Sequence, residues 1–149
     1  MDVPSAVAVA RGEGRSTLTE VESKAILAQV GVPVVETRLA RSKREAVSLA
    51  RELGFPVALK AVSPDITHKS DVGGVRLGLG SASQVARAYG ELVGSVRAAC
   101  PQARWHGVSV QRMAPPGREV IVGAYRDPQF GPVLMFGLVG VVHLSLIHI

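Results

Sequence analysis

The chain has 149 residues, a formal charge of +5, and a composition 47% hydrophobic and 19% charged. That length suits one ordinary domain rather than two, and the composition calls for a packed core and excludes a disordered chain. The lone cysteine, Cys100, rules out an internal disulfide and suits a reducing, cytoplasmic compartment, while dispersed basic residues and few aromatics argue against a nucleic-acid surface.

The opening MDVPSAVAVARGEGRS (1–16) lacks a secretory pattern and reads as a flexible lead-in, with Gly12 and Gly14 set between charges. Thr19-x-x-Glu22 is a capping box, in which hydroxyl and carboxylate satisfy each other's backbone N–H groups. Val21, Ala25 and Ala28 follow at helical spacing, and Gly31 stands where a left-handed terminator belongs. VPVV (32–35) reads as a short strand. Ser42-x-x-Glu45 opens a second helix with Ala46, Leu49, Ala50 and Leu53 inward, ended by Gly54. FPVALKA (55–61) is a buried strand finishing near Lys60.

Beyond SPDITHKSDVGG (63–74), Val75, Leu77 and Leu79 alternate with Arg76 and Gly78, as in a half-buried strand. Ser81-x-x-Gln84 caps a longer helix in which Val85, Tyr89, Leu92 and Val96 share one face. Three strands are then predicted, GVSVQRM (107–113), REVIVGAY (118–125) and PVLMFG (132–137), separated by the turns APPG and RDPQFG. Connections so short imply antiparallel pairing. The chain therefore divides into a lead-in (1–16), a first α/β lobe (17–106), a hinge with the start of a second lobe (107–138), and a tail (139–149). The charge-free run 132–149 barely reaches membrane-spanning length and has no basic flank, so a buried strand with a tail is the better reading and no membrane partner is expected.

Lys60 ends an otherwise apolar strand, where a lysine either snorkels to solvent or offers a phosphate a fixed point charge. Gly73 and Gly74 let backbone N–H groups approach an anion, but their spacing is neither a P-loop nor G-x-G-x-x-G, and a plain turn explains them as well. His68 is either an ordinary polar loop residue or a nucleophile whose ring nitrogen accepts a phosphoryl group. Lys69 beside it would disfavour the protonated imidazole and offset phosphate charge. Residues 110–113, Val-Gln-Arg-Met, suit a strand end or a segment whose backbone meets an adenine edge. Glu119 is open to both a ligand role and an exposed one. No metal-ligand spacing is present.

Together, LTEVESKAIL…GVPVV, FPVALKAVSPDITHKSDVGGVRLGL and VSVQRMAPPGREVIVGAYRDPQFGPVLMFG resemble the ATP-grasp domain of ADP-forming acyl-CoA synthetases, the group of the ADP-forming acetate–CoA ligases and relatives of succinyl-CoA synthetase. The similarity covers roughly residues 18–138, and HKSDVGG and RDPQFGP carry it. It implies an ATP-grasp fold, an α/β (α+β) class, and a share in converting acid, CoA and ATP into acyl-CoA, ADP and phosphate. It further implies His68 as a phosphohistidine carrier, Lys60 and Lys69 on the nucleotide phosphates, and Gly73 and Gly74 in a mobile loop over them. Gln111, Arg112 and Met113 match the adenine hinge, and Glu119 the acidic residue of the nucleotide pocket. ATP or ADP and Mg²⁺ are the implied cofactors, and the CoA-binding and ligase domains of the same synthetase the implied partners.

The family pattern continues after FGL with Gly-Gly, an apolar pair and a glutamate, whereas this chain has Val139-Gly140-Val141-Val142-His143-Leu144. Its closing LSLIHI resembles translated adapter sequence. The expectation is a truncated domain with an aberrant tail, inactive alone, whose acidic Mg²⁺ ligands lie further on. Two other functions remain open: a regulatory synthetase-like module of a protein lysine acetyltransferase, and another ATP-grasp ligase, which would need no histidine at position 68.

Overall fold

The computed structural model describes residues 3–138. They fall into two compact units with a boundary between Ala114 and Pro115. The first contains α1 (Val3–Gly12), α2 (Glu20–Gln29), β1 (Thr37–Ala40), α3 (Lys43–Leu53), β2 (Val57–Val62), β3 (Val75–Leu79), α4 (Ala82–Ala99) and β4 (Gly107–Arg112). The class is the expected mixture of helix and sheet.

The lead-in contains a helix. Its Val/Ala-rich run forms α1, which buries Ala6 and Ala10, one turn apart. Of the two glycines that suggested mobility, Gly12 is the last residue of the helix and Gly14 is its terminator. Gly14 adopts φ +69, its N–H donates to Arg11 O, and the Arg15 N–H returns to Ala10 O at 2.8 Å. These are the two bonds of a Schellman motif. Gly31 closes α2 in the same way, through its own N–H to Ala28 O and the Val32 N–H to Leu27 O.

At the start of α2 the capping box is formed by Thr19 and Glu22. Its buried residue is Ser23, however, while Ala25 and Ala28 are exposed, contrary to the apolar spacing. VPVV makes no strand; Pro33 has no N–H to give a ladder, and the chain joins the sheet only at Thr37. In α3 the Ser42 hydroxyl accepts from the Glu45 N–H, Ala46 and Ala50 are fully buried, and Gly54 ends the helix at φ +83.

The sheet runs β1-β4-β2-β3 with every neighbouring pair antiparallel. Residues 107–112 were expected to open the second lobe, yet β4 lies inside this first sheet, between β1 and β2. Its Val108 and Val110 are completely buried beside Leu59, and that burial holds the strand in the first unit. The seam therefore moves from residue 107 to the Ala114/Pro115 boundary.

Strand alternation sorts the side chains into two layers. Val57, Leu59 and Ala61 join Val108 and Val110 in the core against α3 and α4, whose inward stripe of Val85, Tyr89, Leu92 and Val96 is buried as its spacing predicts. Lys60, Ser109 and Gln111 occupy the alternate positions, on the face that meets α2. The second unit is a hairpin of β5 (Val120–Asp127) and β6 (Gly131–Leu138). At its turn the Asp127 carboxylate accepts from the N–H groups of Gln129 (2.8 Å) and Phe130 (2.9 Å). The 139–149 tail lies outside the described residues.

Leu92 is fully buried at the centre of the α4 stripe. Leu92→Ala should lower unfolding stability by about 2–5 kcal/mol, read as a lower urea midpoint at unchanged slope.

Candidate functional site

Lys60 stands in the fourth of the six positions of β2, opposite Ser109 of β4, whose hydroxyl donates to Lys60 O. Since Leu59 and Ala61 point into the core, Lys60 is directed to the opposite face, where its ammonium meets Glu20 Oε1 at 2.9 Å. Glu20 is the first residue of α2, a place where the helix dipole favours a carboxylate. That helix start is anchored: Glu22 caps the Thr19 N–H at 2.7 Å and accepts a bidentate pair of bonds from the buried Arg15 guanidinium (2.9 and 3.0 Å).

Two further lysines converge on Glu20. Lys24, one helical turn on, lies 2.9 Å from Oε1, and Lys69 lies 3.5 Å from Oε2. All four side chains are less than a quarter exposed, so their charges are only partly screened by water. Burial opposes ionisation of Glu20, but the Lys60 charge and the hydrogen bonds from Lys24 and Lys60 outweigh it and hold its pKa at about 2. Three ammonium groups around one carboxylate leave a local excess of positive charge. Lys24 also donates to Thr37 Oγ1 (2.9 Å) and Gln111 Oε1 (2.8 Å), which ties α2 to β1 and β4.

Lys69 arrives on a turn that folds upon itself. The N–H groups of Asp71, Gly73 and Gly74 donate to the carbonyls of His68, Ser70 and Lys69, and Gly74 O accepts from the Ala61 N–H. Arg76 Nη1 donates to Gly73 O at 2.8 Å. Gly73 requires its φ of +64, and a Cβ at Gly74 would lie 2.8 Å from Lys69 O. These glycines therefore shape the turn; the N–H groups that the sequence offered to an anion are spent inside it. His68, at the head of the turn, is exposed. Just upstream, Asp65 accepts from both the guanidinium and the N–H of Arg104, whose side-chain and backbone bonds hold the carboxyl near 2.

The structure thus gathers Lys60, Lys69 and Gln111 around Glu20 and Lys24, with His68 adjacent in the chain to Lys69. Arg112 continues β4 to its end and is exposed, and the Met113 N–H donates to Pro56 O at 3.0 Å. Glu119 belongs to the second unit, ahead of β5, and is exposed. Sequence reasoning missed Glu20 and Lys24. Their Glu-x-x-x-Lys spacing on a helix was a signal, though one shared by many solvated helix faces. Among the described residues, no three His, Cys, Asp or Glu side chains come together to hold a metal ion.

The sequence pattern of the ATP-grasp domain matches residues 9–145 of the chain. The chain belongs to the ATP-grasp family. Within that family it is 47% identical over 132 residues to the beta subunit of acetate–CoA ligase (ADP-forming) I from Pyrococcus furiosus, covering 89% of this chain and 56% of that subunit. The chain thus spans little more than half the length of this ATP-grasp relative. Among solved structures it superposes with a TM-score of 0.87 and 50% identity on a dinucleotide-forming acetyl-coenzyme A synthetase 1 from Ca. Korarchaeum cryptofilum, bound to coenzyme A, Ca-AMPCP and HgCl⁺. That match covers 91% of this chain and 59% of the other. A second structure of that synthetase, with coenzyme A and Mg-AMPPCP and its phosphohistidine segment pointing towards the nucleotide binding site, matches at a TM-score of 0.75 and 45% identity over 92% of this chain and 57% of its own.

The low pKa of Glu20 fixes a pH signature. A carboxyl whose folded value lies below its unfolded value stabilises the fold above the unfolded value, near 4.5, and that contribution is lost as pH falls through about 2. Glu20→Gln should therefore cost on the order of 3 kcal/mol at pH 6–7, with the deficit shrinking steadily from pH 5 toward pH 2. Urea unfolding of both proteins across that range checks it, and a pH-independent deficit would refute the ion-pair account.

Proposed function

We propose that the chain is the nucleotide- and phosphoryl-handling part of an ADP-forming acyl-CoA synthetase, which joins an acid to CoA with conversion of ATP to ADP and phosphate. The observation that carries this reading is the excess positive charge of Lys60 and Lys69 around Glu20, with Lys69 on the turn that begins with His68. Similarity over nine-tenths of the chain to a synthetase solved with coenzyme A and with the nucleotide analogues AMPCP and AMPPCP supports it.

In this reading Lys60 and Lys69 draw the β- and γ-phosphates of ATP to the open side of the cluster and spread their charge. A ring nitrogen of neutral His68 attacks the γ-phosphorus in line, the bond to the bridging oxygen breaks, and ADP leaves. The N–P bond so formed is the carrier, and the reverse transfer regenerates ATP. Lys69, next to the histidine in the chain, offsets the phosphoryl charge after attack. In the same reading Gln111, Arg112 and Met113 are assigned to the adenine edge and Glu119 to the acidic role in nucleotide binding, while Gly73 and Gly74 maintain the turn that presents His68. Mg²⁺, when bound, would neutralise phosphate charge; among the described residues no cluster of His, Cys, Asp or Glu stands ready to hold it. The CoA-binding and ligase domains of the same synthetase are the partners, in a cytoplasmic setting consistent with the single cysteine.

The histidine separates this reading from an ATP-grasp ligase that works through acyl phosphate alone. In the complete synthetase, γ-labelled ATP with Mg²⁺ should leave acid-labile, base-stable label on the protein, and His68→Asn should abolish both that label and CoA-ligase turnover. Intact labelling and turnover in the variant would remove His68 from the relay. Lys60→Ala should weaken ATP binding roughly ten- to a hundredfold by calorimetry, the size expected for one charged hydrogen bond.

A further inference from the structure

We infer that Glu20 and Lys24 are positioning residues for the phosphate-binding lysines: Lys24 locks the Glu20 carboxylate, and Glu20 in turn holds Lys60 and Lys69 side by side facing one anion. The inference rests on the reading that those lysines hold nucleotide phosphates, and it adds two residues to which that reading gives no role.

Counting donors separates the three lysines. An ammonium group has three N–H bonds. Lys24 has a partner for each of them in Glu20, Thr37 and Gln111, so it has no donor left for a ligand. Among the described residues, Lys60 and Lys69 each touch the cluster only through Glu20, which leaves each two donors for an incoming anion. The carboxylate is likewise divided, Oε1 between Lys24 and Lys60, Oε2 to Lys69.

Charge explains why a site for anions contains a carboxylate. Without Glu20, three ammonium groups would share a small, partly buried space and repel one another, and the two long side chains with no other anchor would swing out to water. With it, they stay close together and still carry an excess of two positive charges, a match for a phosphoryl dianion. The backbone beneath Glu20 is held by the Thr19–Glu22 capping box and by Arg15, so the carboxylate has a fixed origin.

The alternative is that Glu20 is merely an anion competing with the ligand, and the two ideas predict opposite signs. The test titrates the chain with ADP, comparing wild type, Glu20→Gln and Lys24→Met by calorimetry. The first substitution makes the cluster more positive and the second less, so a purely Coulombic effect would move affinity in opposite directions. Positioning requires that both weaken ADP binding, by about tenfold each. Tighter or unchanged binding in Glu20→Gln overturns the inference, as does an unchanged affinity in Lys24→Met. If the first variant fails to fold, Glu20→Asp replaces it, since it keeps the charge but shortens the reach; positioning then requires weaker ADP binding, and unchanged binding overturns the inference.

A ligand-free measurement separates failure of this inference from failure of the functional reading. Proton–nitrogen spectra of the lysine ammonium groups should show Lys24 and Lys60 in the wild type, slowed in exchange by their hydrogen bonds. In Glu20→Gln the Lys60 signal should vanish while the backbone amide spectrum stays native outside the cluster. Persistence of that signal refutes the positioning role whatever ADP does. A wild type that shows the signals but ignores ADP refutes the nucleotide reading alone.

Discussion

One carboxylate shared by three ammonium groups organises the sheet face on which the candidate site lies. Through Glu20, the N-terminus of α2 is joined to β2 by Lys60, to the histidine turn by Lys69, and, by way of Lys24, to β1 and β4. Most of the apolar core lies on the other face, against α3 and α4. The polar face therefore depends on ion pairing for its order. Such pairing stabilises only when desolvation is repaid by close, multiple contacts, and the low pKa of Glu20 indicates that here it is.

The strand pattern makes this arrangement possible. β2 is buried on both sides, and its single charged residue falls at a position that faces away from α3 and α4. A shift of one residue in register would send Lys60 into the hydrophobic core and Leu59 to the cluster. Pairing on both edges, with β3 and β4, guards that register.

What the sequence disclosed divides along the range of the interactions. The capping box at Thr19, the caps at Ser42 and Ser81, the stripe of α4 and the turn at Asp127 are all settled within a few residues, and all were legible. The misreadings concern distant partners or ambiguous punctuation. Gly12 and Gly14 look the same in a mobile tract as in a helix terminator, and only the burial of Ala6 and Ala10 separates the two. The affiliation of β4 rests on pairing with strands about fifty and seventy residues earlier, which periodicity cannot encode. The site shows the same limit. Lys60 and the HKSDVGG turn stand out as motifs, whereas Glu20 meets them across separations of 40 and 49 residues and looks like one more helix-start acid.

The self-contained turn at 68–74 bears on selectivity. Its backbone N–H groups at Asp71, Gly73 and Gly74 are already paired, so an anion arriving there meets ammonium groups and an imidazole, not a rigid cup of amides. An amide cup reads the shape of an oxyanion, while lysines act as mobile point charges that sense mainly its valence and position. In the nucleotide reading proposed above, discrimination between a nucleotide and any other polyanion falls to the base end of the ligand, leaving the lysines to set how strongly the phosphates are held rather than which molecule bears them.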